Sequence, residues 1–241
     1  MHIRLAGYED LSKIARLGSQ AFKSETVFGW LYPLRDSNPK AFEETLYRQA
    51  VTRFLTPGWV TIVAVGESSD SSWCSPDEIV GYGVWLRDGG DPGAQYWNQD
   101  PLSQKLQRWT WWTQHRLGLM TGWYVAANDL SRLDKLHHIA NDIYEHIPDS
   151  WYLDTLGVNP QYQRKGIGRM LLDWGVERAN SENVPVLLES TAYGEGLYRK
   201  AGFLDFDRVE LTESIGMPAM ILPPPGKSIE DYRKNEGKSG D

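Results

Sequence analysis

The sequence predicts an α/β domain, and two observations carry that prediction. Short strand-like runs interleave with longer runs of helical period along most of the chain. The clearest such unit is Trp151 to Arg169, WYLDTLGVNPQYQRKGIGR, which reads as strand, tight loop and helix in that order. In the strand, Tyr152, Asp154, Leu156 and Val158 are expected on one face, and Leu153, Thr155 and Gly157 on the other. Asn159-Pro160 stops it, and Ile167, Met170, Leu171 and Trp174 then recur at helical spacing.

The loop between them suggests chemistry. A helix N-terminus exposes unpaired N–H groups and the positive end of its dipole. Glycines at Gly166 and Gly168 allow a ligand close to the main chain, while Arg164, Lys165 and Arg169 add full charges. A phosphate or pyrophosphate suits such a site. It is not a P-loop, because Arg169 follows Gly168 where Lys-Ser/Thr would be needed. Nor is it the dinucleotide fingerprint, since Leu171 stands at the third glycine position.

The other elements follow in order. His2 to Leu5 reads as a first strand and Glu9 to Phe22 as a helix, with Leu11, Ile14, Ala15, Leu17 and Phe22 on its stripe. Phe28, Trp30, Leu31, Tyr32 and Pro33 form an aromatic connector, either a core-covering loop or a wall of a substrate pocket. Asn38-Pro39 opens a helix over Lys40 to Leu55, with Phe42, Leu46, Ala50, Phe54 and Leu55 facing inward. Trp59 to Val65 and Ile79 to Leu86 are expected to form a hairpin, joined by the polar loop from Gly66 to Glu78. Cys74 lies in that loop among serines and acidic residues, the opposite of what a reactive thiolate needs. It reads as an inert surface residue. A later strand, Pro185 to Ser190, precedes a short helix, and strands are expected over Asp205 to Leu211 and Pro218 to Leu222. From Pro223 on, the polar, Pro/Gly-rich sequence predicts a poorly ordered tail.

Between the third and fourth strands lies an insertion, Arg87 to Ser150. It starts with the glycine-rich turn Asp88 to Gly93, expected to be flexible and to serve as a hinge, and predicts two helices. One spans about Pro101 to Leu117, with Leu102, Leu106, Trp109, Thr113 and Leu117. The other spans about Asp129 to Ile147, with Leu130, Leu133, Leu136, Ala140, Ile143 and Ile147. Trp109, Trp111 and Trp112 offer more aromatic surface than one face can hide. The insertion therefore reads as padding for the sheet, as a lid over the acceptor, or as a homodimer surface. His137, His138 and His146 lack the spacing of a helical zinc site, and no metal is expected.

The chain has 241 residues, enough for one large domain, here residues 1–222 with the insertion at 87–150. A net charge of −7 argues against a nucleic-acid partner. No apolar run approaches the ~18 residues of a membrane span. The start, MHIRLAGYEDLSK, has no signal-peptide core, and the single cysteine excludes an internal disulfide framework. The expected setting is cytoplasmic, without a membrane partner.

Gln163-Arg164-Lys165-Gly166-Ile167-Gly168 resembles the Q/R-x-x-G-x-G/A acetyl-CoA signature of the GCN5-related N-acetyltransferases. Downstream, Gly196-Leu197-Tyr198-Arg199-Lys200-Ala201-Gly202-Phe203 resembles that family's second signature. The stretch Trp151 to Phe203 is most similar to the branch holding puromycin-type antibiotic acetyltransferases and many fungal members. The resemblance implies a mixed, largely antiparallel sheet flanked by helices. It implies that pantetheine lies along Leu156, Gly157 and Val158, where a β-bulge parts the fourth and fifth strands. Pyrophosphate would rest on the loop Gln163 to Arg169.

It also implies roles. Tyr198 matches the tyrosine that protonates the departing thiolate, and a phenol with a pKa of about 10 holds its proton at neutral pH. Asp154 is the first candidate for general base, through desolvation or an ordered water, with Glu189 second. Thr191 stands where many members bond the cofactor through asparagine. With no cysteine in any motif, direct attack of a small-molecule amine on acetyl-CoA is expected. A protein-directed acetyltransferase, with an open groove, and a degenerate CoA-binding module are the alternatives. The loop assignment has a direct test. Gly168→Val is expected to abolish acetyl-CoA binding in calorimetric titration while the fold persists; unchanged affinity would refute the assignment.

Overall fold

The computed structural model describes residues 1–70, 74–123 and 127–233. Seven strands form one sheet: β1 (His2–Leu5), β2 (Trp59–Val65), β3 (Ile79–Asp88), β4 (Ser150–Val158), β5 (Val186–Glu189), β6 (Leu204–Glu210) and β7 (Gly216–Leu222). Their spatial order is β1-β2-β3-β4-β5-β7-β6. Neighbours run antiparallel except β4 and β5, which are parallel. The helices are α1 (Leu11–Ala21), α2 (Thr26–Leu31), α3 (Pro39–Phe54), α4 (Pro92–Trp97), α5 (Leu102–Met120), α6 (Leu130–Tyr144), α7 (Ile167–Glu182) and α8 (Glu195–Lys200). This is the mixed, largely antiparallel sheet flanked by helices that the sequence predicts.

Local chemistry accounts for several boundaries. Asn38 caps α3 by accepting from the Ala41 N–H at 3.1 Å, with Pro39 in the first turn. Asp129 caps α6 through the N–H groups of Ser131 and Arg132. The aromatic connector contains α2, and its rings Phe22, Phe28 and Tyr32 stack in sequence, the first pair at 4.1 Å and 8°.

Two layers cover the sheet. Helix α7 lies on one face, against Val80, Trp85, Trp151, Leu153, Val186 and Leu188. Helices α1, α2, α3 and α6 lie on the other, over two further apolar clusters.

Three expectations need correction. The faces of β4 are not shared as alternation alone predicts. Val84 pairs with Thr155 and Trp85 with Leu153, so Asp154 is an extra residue without a partner on β3. A bulge of this kind resets the alternation. Tyr152, Asp154 and Thr155 face the α1/α3 side, where Gly157 also lies against Tyr82 and Phe22. Leu156 and Val158 join Trp151 and Leu153 on the α7 side. Second, Cys74 is buried, not on the surface. The loop folds back on itself through Gly66 and Asp77, and burial, then Glu78 and Asp70, push the thiol pKa up.

Third, the glycine-rich start of the insertion is pinned. Arg87 is fully buried; its Nε donates to Glu182 of α7 at 2.6 Å and its Nη2 to both Asp91 oxygens at 2.6 Å. Asp149 accepts from the N–H groups of Gly90 and Asp91. Five fixed guanidinium donors hold the turn that glycine content alone marks as loose. Of the polar tail, residues up to Arg233 are described and include a short 3₁₀ turn, Ile229–Tyr232, whose Tyr232 carbonyl meets His146 Nε2 at 2.6 Å; residues 234–241 lie outside the description.

The α7 layer rests on a tryptophan cluster, Trp85, Trp97, Trp151 and Trp174. Gly175 faces it, and a methyl placed there would stand 2.3 Å from Trp85 Cη2. Gly175→Ala gains about 1 kcal/mol of helix propensity but overpacks a rigid ring, at a cost of about 1–3 kcal/mol. A lowered urea midpoint is expected.

Candidate active site

The site is built where β4 and β5 separate. Their ladder consists of Trp151–Val186 and Tyr152–Leu187. Beyond Tyr152 the strands diverge, leaving the β5-facing edge of Leu153 to Val158 outside any ladder. Helices α7 and α8 flank this gap on one face of the sheet. On the other face the gap meets a pocket of about 120 Å³.

On the α7 side, Arg164 (φ 65°) and Gly166 (φ 84°) both take the left-handed conformation. Gly166 is the N-cap residue and offers no side chain to the helix donors. The Met170 N–H donates to the Gly166 carbonyl as the first helical bond. The N–H groups of Gly166, Ile167, Gly168 and Arg169 precede that bond and have no carbonyl a turn behind them. A methyl at Gly166 would meet nothing within 4 Å, so the cradle is open. Gly168 lies against Leu156, Val158 and Leu197, at 3.4–3.8 Å from where its Cβ would be. Gln163 Nε2 donates to the Val158 carbonyl at 3.2 Å, closing the loop onto β4. Arg164 and Lys165 are exposed, Arg169 pairs with Asp173 at 2.7 Å, and the Ile167 side chain is buried beneath the loop. These features fit an anionic group carried on a thin chain that runs along β4.

The pocket side gathers residues from distant parts of the chain. Its floor holds Tyr152, Asp154, Thr155, Glu189 and Thr191; Arg53 and Tyr82 stand beside them. Asp154 Oδ1 accepts from Arg53 Nη2 at 2.8 Å and Oδ2 from Thr155 Oγ1 at 2.5 Å. The first sequence candidate for a base is thus held in an ion pair. Glu189 has a different setting. Tyr152 OH donates to its Oε2, while Oε1 is buried with no partner among the described residues. Burial, and the nearby Asp154 charge, push the Glu189 carboxyl up to about 7.

Tyr198 is buried on α8, packed edge-on to Phe203. Burial first, then the Glu25 charge, push its phenol well above the usual value. Glu25, at the start of α2, is itself buried and raised by desolvation. Its Oε1 accepts from Thr191 Oγ1 at 2.9 Å, so the hydroxyl expected to substitute for a cofactor-bonding asparagine is committed to Glu25.

The pocket walls come from the aromatic stack and from α6 of the insertion, through Leu133, Leu136 and His137. Helix α6 is fastened, with Tyr144 OH donating to the Leu188 carbonyl at 2.9 Å and Lys135 Nζ to Leu211 at 2.6 Å. None of Trp109, Trp111 and Trp112 lines the pocket. Trp111 packs on the outside of α3, with its Nε1 donating to Thr52 Oγ1 at 3.1 Å. Glu25 and Arg53 were not legible as site residues, because they stand 166 and 101 positions from their partners with no local pattern around them. Among the described residues, no group of three His, Cys, Asp or Glu could hold a metal ion.

The sheet is thus parted at its one parallel pair, with an open glycine cradle on one face and a carboxylate-lined pocket on the other. A family model described as an acetyltransferase (GNAT) domain matches residues 121–204. An acetyltransferase from Stachybotrys chartarum is 24% identical over 208 residues, covering 83% of this chain and 79% of the relative. Among solved structures, one titled histone acetyltransferase HPA2 and related acetyltransferase, from Corynebacterium glutamicum, superposes with a TM-score of 0.58 at 20% identity. That match covers 94% of this chain and 97% of the other, and it concerns the fold. Residues 121–204 match a GNAT acetyltransferase domain, and with the Stachybotrys relative this makes the chain an acetyltransferase similar to those of the GCN5-related N-acetyltransferase superfamily.

The raised Glu189 carboxyl links stability to pH. Because the fold favours the protonated form, this group's contribution is complete below about 4.5 and is lost as pH rises to about 7. The loss amounts to roughly 3 kcal/mol at most. Glu189→Gln removes that dependence. In urea unfolding, the variant is expected to gain on the wild type as pH rises through this interval, with no further divergence above it.

Proposed function

We propose that this enzyme transfers the acetyl group of acetyl-CoA to the primary amine of a compact, apolar small molecule. The observation that carries the reading is the position of Glu189. It stands on the pocket side of the gap between β4 and β5, with one oxygen held by Tyr152 and the other buried and without a partner among the described residues. The residues of the loop Gln163 to Arg169 would hold the pyrophosphate, and the free β4 edge at Leu156 to Val158 the pantetheine arm.

In this reading Glu189, not Asp154, is the general base. A base is most effective when its pKa lies near the working pH, and Glu189 at about 7 meets that condition. It takes a proton from the acceptor ammonium, and the neutral amine then attacks the thioester carbonyl. As the C–S bond breaks, Tyr198 gives its phenolic proton to the sulfur, and the proton that the attacking nitrogen sheds as the amide forms restores the phenol; the proton on Glu189 leaves to solvent. Asp154 and Arg53 supply a fixed, balanced pair beside the reacting amine. The pocket volume of about 120 Å³ approaches the roughly 150 Å³ that admits a benzene ring. That size and the Phe22–Phe28–Tyr32 stack favour an amine on one ring or a branched chain. The wall built by α6 disfavours a peptide, which would need an open groove.

Steady-state kinetics with acetyl-CoA and a panel of arylalkyl amines, alkyl amines and peptides test this. Glu189→Gln and Tyr198→Phe are each expected to lower kcat by roughly 10²–10⁴-fold while acetyl-CoA affinity persists. Asp154→Asn is expected to cost less. Wild-type kcat/KM is expected to rise through a pKa near 7. Full turnover by Glu189→Gln, or a preference for peptides over every small amine, would refute the reading.

A further inference from the structure

Helix α5 is turned outward. Between Leu102 and Met120, the positions that are not exposed are Arg108, Trp111, His115 and Gly118, a narrow inward stripe. The apolar stripe points away from the body. Leu102, Leu106, Trp109, Leu117 and Met120 are each more than half exposed. With Thr113 they fall within about 80° of arc at 3.6 residues per turn. Trp112 and Trp123, 56% and 78% exposed, flank the stripe. Single exposed apolar residues are ordinary, but a contiguous patch of this kind marks a contact surface.

Charge identifies what it contacts. From Pro101 to Trp123 there is no aspartate or glutamate, in a chain with 32 of them and a net charge of −7. Arg108 is neutralised by Asp100 at 2.7 Å. Lys105 and Arg116 border the apolar stripe on one side and have no ion pair among the described residues; Arg116 instead lies over the Trp112 ring at 5.7 Å. A second copy is a poor match. An antiparallel pair of α5 helices sets Lys105 against Arg116 of the other copy, twice, and a parallel pair sets each charge against itself. Tryptophans and leucines on one face with basic residues at its edge suit the boundary between headgroups and acyl chains.

We infer that α5 is an interfacial helix that lies flat on an anionic lipid surface. Leu102, Leu106, Trp109, Leu117 and Met120 enter the headgroup boundary, and Lys105 and Arg116 meet lipid phosphates and carboxylates. The absence, among the described residues, of a helix long and apolar enough to span a membrane does not bear on a helix lying in its plane. The chain's overall negative charge is screened beyond about 8 Å at physiological ionic strength, so the local cations govern contact. This inference does not depend on the proposed acceptor or base.

The test is co-sedimentation of the full chain with phosphatidylcholine vesicles, with and without phosphatidylserine, alongside sedimentation velocity without lipid. Binding to the phosphatidylserine vesicles is expected, and it should weaken as salt is raised. Trp109→Ala combined with Trp112→Ala is expected to reduce partitioning about tenfold or more. Lys105→Gln with Arg116→Gln is expected to reduce it by about fivefold per charge. All four side chains are exposed, and unchanged thermal melting will establish that the variants fold. Absence of vesicle binding, or binding that neither double variant weakens, overturns the inference. A lipid-free dimer that the tryptophan variants convert to monomer, with no vesicle binding, would make the stripe an interface between copies instead.

Discussion

The separation of β4 from β5 is the constraint on which the rest of the structure depends. Two ladder pairs hold these parallel strands together, and then the β5-facing edge of β4 is left without a strand neighbour. An unpaired strand edge inside a protein has N–H and C=O groups that need partners. Here that edge is available to a substrate chain. The bulge at Asp154 lies just beyond the last ladder pair, and by adding one residue it also moves the following side chains to the opposite face. One local irregularity therefore opens the cleft and decides which side chains see it.

The two faces of the cleft are chemically distinct. On the α7 side the groups are backbone donors and exposed cations, suited to a multiply charged anion. On the other side, carboxylates are packed among aromatic rings. Desolvation treats two carboxylates at the same site differently according to their partners. Asp154 has a guanidinium beside it. Glu189 has only a phenol, so burial raises its pKa to about 7. The preference for Glu189 as base rests on that contrast. Glu25 adds a further buried carboxylate, which binds Thr191 and influences Tyr198 without lining the pocket.

The insertion does two separate things. After the short α4, helix α6 turns most of its apolar residues inward and forms a wall of the pocket. Helix α5 turns most of its apolar residues outward and touches the body through Trp111 and Arg108. Buried Arg87 fixes the base of the insertion to α7, so the glycines at its start are held in a defined turn rather than left as a hinge.

Much of the fold was legible in the sequence because it is encoded locally. Short apolar runs marked β2, β3 and β5, and the stripe of Leu11, Ile14, Ala15 and Leu17 marked α1. Asn38-Pro39 marked the start of α3, and the glycines of 163–169 marked the loop between β4 and α7. What tertiary structure decided involved comparisons between distant residues or a change of register. Alternation cannot foresee a bulge, because the extra residue is defined only against β3. The choice between Asp154 and Glu189 depended on Arg53, which lies a hundred positions from Asp154 and meets it only when α3 packs on the sheet. The stripe of α5 was plain in the sequence, but periodicity gives a face without saying whether it looks inward or outward. That direction is set by what the rest of the chain packs against it, and here the body takes the opposite face.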